Sequence, residues 1–195
     1  MAQRLVGAKT RLVPLDFDRH FENLLAWMGD PDVSDGLPTG NYPKSRPSAR
    51  EWFEARQRGG EREAAFAIET LEGEHVGYTA LYGIDFVNGS CGSGSMIAKS
   101  DWGQGLGTDA AHVRAHFAFR VLNLRQIYSS YLGGNERSAR MQRAVGAIEW
   151  GRQPEAIWRL GRYVDHIHTV LTRENWERSR PTPGVPSPSP GGLAP

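Results

Sequence analysis

Apolar positions in the first fifty residues follow the period of a strand and then that of a helix. Residues 11–15 predict a short strand, and the apolar residues from Phe17 to Met28 share one face of a helix that Asp16 can cap. This helix should end before Gly29. Residues 34–47 are rich in Gly, Pro, Ser and Asn, which predicts a long loop that either borders an acceptor site or is a passive connection.

The pattern of the remaining chain alternates between strands and helices. Ser48 and Glu51 form a capping box, which predicts that a second helix begins there and runs to about residue 57. The later predicted elements are strands at 64–70, 75–86 and 93–98, a helix at about 108–122, a strand at 126–132, a helix at about 138–145, and strands at 147–152 and 163–172. The order β-αα-βββ-α-β-α-ββ predicts a mixed α/β sheet with helices on its faces.

A glycine stands at every second position from Gly103 to Gly107, between a predicted strand and a predicted helix. Glycines allow a ligand to approach the backbone closely, and Thr108 and Asp109 are favourable at a helix start. Free N–H groups and the macrodipole at a helix N-terminus both attract phosphate. The segment therefore predicts a phosphate-binding loop, the alternative being a glycine-rich turn without a ligand.

Three known phosphate loops can be compared with this segment. A P-loop requires a lysine after the last glycine, and none is present. A dinucleotide-binding loop requires an acidic residue about 20 positions later, and residues 126–130 contain none. The pyrophosphate loop of acyl-CoA-dependent N-acetyltransferases, Gln/Arg-x-x-Gly-x-Gly/Ala, fits Gly105-Leu106-Gly107, although Trp102 stands where Gln or Arg is usual.

Composition limits the class of protein. The 195 residues fit one domain, predicted at 1–178, followed by a Pro/Gly/Ser-rich tail at 179–195 that should be disordered. A net charge of +1 argues against partners such as nucleic acid or anionic membranes. The single cysteine, Cys91, lies in a turn-like run, excludes an internal disulfide and favours a reducing compartment. No apolar run approaches the length of a membrane span, so the predicted location is the cytoplasm.

Short strings along residues 8–177 resemble, in order and spacing, the GCN5-related N-acetyltransferases (GNAT), specifically the RimJ/RimL-like branch. The strings are Asp30-Pro31-Asp32-Val33, Gly77-Tyr78 through Ile84-Asp85, the glycine loop from Asp101 to Ala110, Asn135-Glu136-Arg137-Ser138 followed by Gly146, Gly161 to Asp165, and Arg173 to Trp176. The resemblance implies a mostly antiparallel sheet of about seven strands with helices on both faces. Two parallel strands, here 93–98 and 126–132, would splay apart and receive acyl-CoA between them.

The resemblance also implies a role for individual residues. The implied cofactor-binding residues are Met96, Ile97 and Ala98, whose backbone would pair with the pantetheine arm; Gly103, Gln104, Gly105, Leu106, Gly107 and Thr108, whose amides would hold the pyrophosphate; and Asn135 and Ser138, beside the pantetheine and the sulfur. The N–H of Ile97 would polarise the thioester carbonyl, and Arg140 or Arg143 would meet the 3′-phosphate.

The implied reaction is acetyl transfer from acetyl-CoA to a primary amine by direct transfer in a ternary complex, without a metal. Gly92 and Gln142 stand where the family often has a glutamate base and a tyrosine acid. Ser138 is then the candidate acid. Asp85 and Glu149 are candidate bases acting through water, unless they are ordinary solvated carboxylates at strand ends.

Several alternatives stay open at this stage. The acceptor could be a protein N-terminal α-amine or a small-molecule amine such as a polyamine or an antibiotic, and the donor could be succinyl-CoA. The chain could instead be a catalytically inactive acyl-CoA-binding module or a phosphate-binding regulatory domain. Dimers are common in the family, so a homodimer is one of the open oligomeric states, which the sequence does not decide. His112 and His116 have metal-ligand spacing without an evident third ligand, and His166 and His168 should share one face of a strand.

Overall fold

A seven-stranded sheet with the strand order β1-β2-β3-β4-β5-β7-β6 organises the protein. The computed structural model describes residues 5–37 and 44–180. The strands are β1 (Thr10–Pro14), β2 (Glu63–Thr70), β3 (His75–Asp85), β4 (Ser90–Ile97), β5 (Gln126–Leu132), β6 (Ile148–Arg159) and β7 (Arg162–Thr172). The helices are α1 (Phe17–Gly29), α2 (Pro31–Ser34), α3 (Arg46–Arg58), α4 (Leu106–His116), α5 (Glu136–Ala144) and α6 (Arg173–Ser179).

One pair of neighbouring strands is parallel and all the other pairs are antiparallel. The parallel pair, β4 and β5, is joined only from Ser90↔Gln126 to Gly92↔Tyr128. Beyond this point, β4 and β5 no longer pair with each other, although each still pairs with its other neighbour. The two strands therefore diverge and leave a gap in the middle of the sheet. The predicted fold class, a mixed sheet of seven strands with a splayed parallel pair, is confirmed.

Helices cover both faces of this sheet because side chains alternate along each strand. Ala67 of β2 packs in a cluster with Phe21 of α1 and Phe53 of α3. Its neighbour Ile68 points to the other face and packs in a cluster with α4. The gap between β4 and β5 therefore has helices on both faces of the sheet. Helices α4 and α5 lie on one face, and α1, α2 and α3 lie on the other.

Two predicted starts of helices differ from the structure. The prediction that a capping box at Ser48 starts the second helix was wrong. Helix α3 begins at Arg46, and Ser45 caps it by accepting a hydrogen bond from the Ser48 N–H at 3.3 Å. Pro47 in the first turn has no N–H to satisfy, which suits it to that position. The helix after the glycine loop begins at Leu106 rather than at residue 108, because Gly105 takes the N-cap position in a left-handed conformation.

Further differences concern segments that the pattern assigned incompletely, among them β6, which runs to Arg159 rather than to residue 152. Cys91 lies buried inside β4 and not in a turn. The short helix α2, capped by the Asp30 side chain, and the closing helix α6 were not predicted. The central part of the loop, 38–43, and the tail from residue 181 lie outside the described residues, so the domain boundary at 178 stays a prediction. Among the described residues, no helix has both the length and the apolar character needed to span a bilayer.

Candidate active site

The gap between β4 and β5 opens into a cleft of about 470 Å³. Its last link across the strands is a hydrogen bond of 2.6 Å between the hydroxyls of Ser93 and Ser129. Beyond that bond the cleft is lined by β4 on one side, by the glycine loop at its base and by α5 on the other side. This is the predicted location of the acyl-CoA arm.

Backbone alternation shows which groups of β4 face the cleft. The register between β3 and β4 is unbroken from Gly77↔Ile97 to Tyr82↔Gly92, and the Ala98 N–H donates to the Val76 carbonyl of β3 at 2.9 Å. Successive residues of a strand direct their N–H groups to opposite edges. The N–H groups of Ala98 and Met96 therefore point to β3, whereas those of Ile97 and Ser95 point into the cleft. Ser95 was not among the predicted residues.

The glycine loop presents its amides to the base of the cleft. Gly103 and Gly105 have φ values of 81° and 80°, a region that a residue with a Cβ rarely adopts. Within the described part of the chain, the N–H groups of residues 103–108 donate no hydrogen bond. The Lys9 ammonium donates to the Gln104 carbonyl at 2.7 Å, which adds a positive charge beside these amides. The loop therefore has the free donors and the field that a diphosphate requires.

Helix α5 supplies the opposite wall. The Asn135 side chain caps this helix by accepting from the Ser138 N–H at 3.1 Å, and its amide donates to the Gly36 carbonyl at 3.4 Å. Ser138 and Arg140 line the cleft. Arg143 lies 3.9 Å from Glu136, so Arg140 is the better placed of the two arginines considered for the 3′-phosphate.

Gln142, which stands where the family often has a tyrosine acid, is part of the wall rather than a free group. It is buried, its amide donates to the Ser130 carbonyl at 3.4 Å, and its oxygen accepts from the Thr169 hydroxyl. These contacts fasten α5 to β5 and β7. A carboxamide cannot donate a proton at neutral pH, whereas the hydroxyl of Ser138, which lines the cleft on the same helix, could.

The two candidate bases are engaged elsewhere. Asp85 closes the turn after β3 by accepting from the N–H groups of Val87 at 3.0 Å and Asn88 at 2.9 Å. The hydrogen bond from the Asn88 side chain, followed by those from the backbone, holds the pKa of Asp85 below its ordinary value. Glu149 accepts a hydrogen bond from the Tyr131 hydroxyl. Neither carboxylate lines the cleft formed by the described residues.

Arg114 of α4 lines the cleft and was missed by the sequence analysis. Only 6% of this residue is exposed, and its guanidinium donates to the Thr79 hydroxyl at 2.7 Å, to the Gly94 carbonyl at 3.2 Å and to the Ser95 hydroxyl. Burial lowers its pKa to about 10, so it remains charged at neutral pH. Arg114 lies four residues after Ala110, on the apolar stripe of α4. A charged residue on this stripe is the sequence signal that could have identified it.

The histidine pairs have no such connection to the cleft. The rings of His166 and His168 lie 4.4 Å apart, which confirms their shared face. His112 and His116 lie on α4, and no group of three or more His, Cys, Asp or Glu side chains among the described residues is placed to hold a metal ion.

Comparison with known proteins gives consistent matches. The family model described as "Acetyltransferase (GNAT) domain" matches residues 9–148. The chain is 28% identical over 106 residues to "Putative ribosomal N-acetyltransferase YdaF" of Bacillus subtilis (strain 168), which covers 54% of this chain and 58% of that protein. It is 27% identical over 122 residues to the spermidine N(1)-acetyltransferase of Escherichia coli (strain K12), which covers 63% of this chain and 65% of that protein. The matches thus span less than two thirds of either relative.

A solved structure shares the fold. The crystal structure of spermidine N-acetyltransferase from Vibrio cholerae in complex with CoA and spermine superimposes with a TM-score of 0.78, covering 86% of this chain and 98% of that one. The sequence identity is 18%, so this likeness concerns the architecture alone.

Proposed function

This chain belongs to the GNAT acetyltransferase family, and on that premise we propose that it transfers an acetyl group from acetyl-CoA to a primary amine by direct attack in a ternary complex. The observation that carries the proposal is the open gap between β4 and β5, with unoccupied amides at its base. The Vibrio cholerae relative, which has the same fold, was crystallised with CoA.

The free groups of the cleft suggest how CoA would lie. The pyrophosphate would accept from the amides of residues 103–108, with Lys9 beside them, and Arg140 would meet the 3′-phosphate. The pantetheine arm would run along β4 and pair with the N–H groups of Ile97 and Ser95. Asn135 is already the cap of α5, so it would contact the arm only through the part of its amide not used there.

The length of the arm decides which N–H meets the thioester. From phosphate to sulfur, the arm has about twelve bonds, which equals about four residues of extended chain or roughly 13 Å. One short helical turn, Lys99–Asp101, separates β4 from the glycine loop, so an arm that starts at the loop and runs back along β4 passes Ile97 and brings the thioester beside Ser95. We therefore assign polarisation of the carbonyl to the Ser95 N–H, in place of the Ile97 N–H that the resemblance suggested.

The reaction then needs little from side chains. The amine attacks the thioester carbonyl, a C–N bond forms, and negative charge develops on the oxygen facing Ser95; one such fixed donor contributes about 3 kcal/mol. Collapse breaks the C–S bond and releases the thiolate, which Ser138 can protonate. An α-amine with a pKa near 8 is partly neutral without a base. Since neither Asp85 nor Glu149 lines the cleft, water would take the amine proton.

The relatives suggest two acceptor classes, polyamines and the N-termini of ribosomal proteins. The test is thiol release from acetyl-CoA with spermidine, spermine and a set of peptides with free N-termini, beside a sample without amine. Thiol release with at least one acceptor supports the proposal. Tight binding of CoA without release from any amine would favour an inactive binding module. Absence of CoA binding would overturn the assignment.

A further inference from the structure

The donor site contains a buried positive charge without a negative partner. Arg114 projects from α4 under β4, lines the cleft, and bonds only to hydroxyls and a carbonyl: Thr79, Ser95 and Gly94. Its Nε is buried and has no hydrogen-bond partner. No carboxylate of the described residues forms an ion pair with it. Charged groups are rarely buried without a partner because desolvation is costly.

The nearest ionisable groups do not balance this charge. Burial raises the pKa of Cys91 to about 11 and raises that of Tyr82, so both are neutral at pH 7. The Tyr82 hydroxyl donates to the Ser93 carbonyl at 3.2 Å. The groups around Arg114 are therefore dipoles, and a ligand could supply the missing charge.

The distance of Arg114 from the glycine loop matches the length of an extended CoA arm. Arg114 stands eight residues after Leu106, the first residue of α4, which is about 12 Å along the helix axis. The extended CoA arm covers roughly the same distance from the phosphate loop. The guanidinium also bonds the side chain of Ser95, the residue whose N–H is assigned to the thioester carbonyl. An acyl group one to two carbons longer than acetyl could therefore reach it.

We propose that the donor site also takes CoA thioesters whose acyl group ends in a carboxylate, of malonyl to succinyl size, and that Arg114 binds that carboxylate. This inference rests on the proposed function. The chemistry is unchanged: the amine nitrogen bonds to the thioester carbon, the C–S bond breaks, the CoA thiolate takes a proton, and the distal carboxylate remains ionised against Arg114. The product is an amide that carries a carboxylate in place of the amine's positive charge.

Equilibrium binding to the full chain tests this without knowledge of the acceptor. Calorimetric titrations with CoA, acetyl-CoA, butyryl-CoA and succinyl-CoA compare donors, of which the last two have acyl chains of equal length and differ in charge. We expect succinyl-CoA to bind at least tenfold more tightly than butyryl-CoA. Arg114→Gln should abolish this ratio and Arg114→Lys should keep part of it. Arg120→Gln, at an exposed arginine paired with Glu177 in the helical turn Phe117–Val121 that follows α4, should leave it unchanged.

The outcomes separate the two proposals. If no CoA compound binds, the proposed function fails. If CoA binds but succinyl-CoA and butyryl-CoA bind equally, only the carboxylate inference is overturned, and this comparison needs no variant. If Arg114→Gln weakens free CoA as much as succinyl-CoA, the arginine is a structural support and the inference is also overturned. If Arg114→Gln does not fold, the carboxylate inference is tested by the ratio of succinyl-CoA to butyryl-CoA affinity in the wild type and in Arg114→Lys.

Discussion

Asp109 in the first turn of α4 accepts hydrogen bonds from both the N–H and the hydroxyl of Thr10, at 2.8 and 2.7 Å. Its carboxylate also accepts from the N–H groups of Ala8 at 2.9 Å and Lys9 at 3.1 Å. One side chain thus ties the start of the edge strand β1 to the helix that follows the glycine loop. It also fixes the backbone of Lys9, whose ammonium lies against that loop.

Replacing Asp109 should therefore cost both stability and CoA affinity. Asp109→Ala leaves the buried Thr10 groups without an acceptor, and each lost bond of this kind costs about 1–3 kcal/mol. Urea denaturation should show a loss of about 2 kcal/mol or more, and CoA binding should weaken several-fold because Lys9 is no longer held. The exposed Asp18→Ala in α1 is the control, with both quantities expected near those of the wild type. An unchanged denaturation midpoint in Asp109→Ala would contradict this interpretation.

The conformation of the glycine loop gives a matched pair of variants. Gly105 and Gly59 both have positive φ, 80° and 65°, and Gly59 lies at the end of α3 with no heavy atom within 4 Å of an added Cβ. An alanine costs about 1–2 kcal/mol of backbone strain at the left-handed Gly105, where ψ is 2°, and about 1–3 kcal/mol at Gly59, where ψ is −169°. Only Gly105→Ala should also raise the Kd for CoA, by at least tenfold, because its Cβ and any loop shift disturb the amides. Equal Kd values for CoA in the two variants would show that the glycine loop does not bind the pyrophosphate.

Ser138 should affect turnover more than binding. General acids contribute about 10²–10⁴-fold where the leaving group needs a proton, but a thiolate of pKa about 8.5 needs less help. We therefore expect Ser138→Ala to lower kcat by about tenfold while the Kd for acetyl-CoA changes less than twofold. The exposed Ser48→Ala in α3 is the control. A kcat equal to that of the wild type would show that solvent protonates the thiolate.

The His75 region predicts how stability depends on pH. Burial, followed by the electrostatic influence of the neighbouring His20, lowers the pKa of His75 from 6.5 to about 4. Below pH 6.5, His75 binds a proton in the unfolded chain but stays neutral in the folded chain. The free energy of unfolding should therefore fall as the pH decreases from 6.5 towards 4. Allowing for partial exposure, the loss is about 1–2 kcal/mol.

Denaturation of the wild type and of His75→Gln between pH 5 and pH 8 isolates this contribution. The range stays above 4.5, the ordinary pKa of Glu69, whose lowered pKa affects stability only in more acidic solution. The difference in unfolding free energy between the two proteins should be constant near pH 8 and should change steadily below pH 6.5, with the variant less sensitive to acid. Parallel curves would mean that His75 binds its proton equally in both states.

Cys91 should be inert in the folded protein. It is 2% exposed, and burial raises its pKa to about 11, so the reactive thiolate is scarce at neutral pH. A disulfide reagent should label it only after denaturation, then with one thiol per chain. Thiol release from acetyl-CoA can therefore be measured without interference. Rapid labelling of the native protein would show that β4 opens locally.

Local pattern was enough to predict most elements, because periodicity records which side of an element is buried. The strand at 126–132 was predicted with the bounds that the structure has. Some errors fell at helix starts, where one residue can replace another as cap: Ser45 instead of Ser48, and Gly105 instead of the residues after it. Others were the unpredicted helices α2 and α6. Which residue caps a helix depends on the path of the backbone that leads into the helix. The few residues around the helix start do not determine that path.

The sequence by itself determined the order of elements, the glycine loop and the family to which the loop belongs, since each is written in neighbouring residues. The tertiary structure alone decided which distant groups meet. It turned the N–H of Ser95 rather than that of Met96 towards the cleft, engaged Asp85 in a turn, and placed the Arg114 charge in the wall of the cleft. Strand register and helix packing set these distances, and both arise from contacts between residues far apart in the chain.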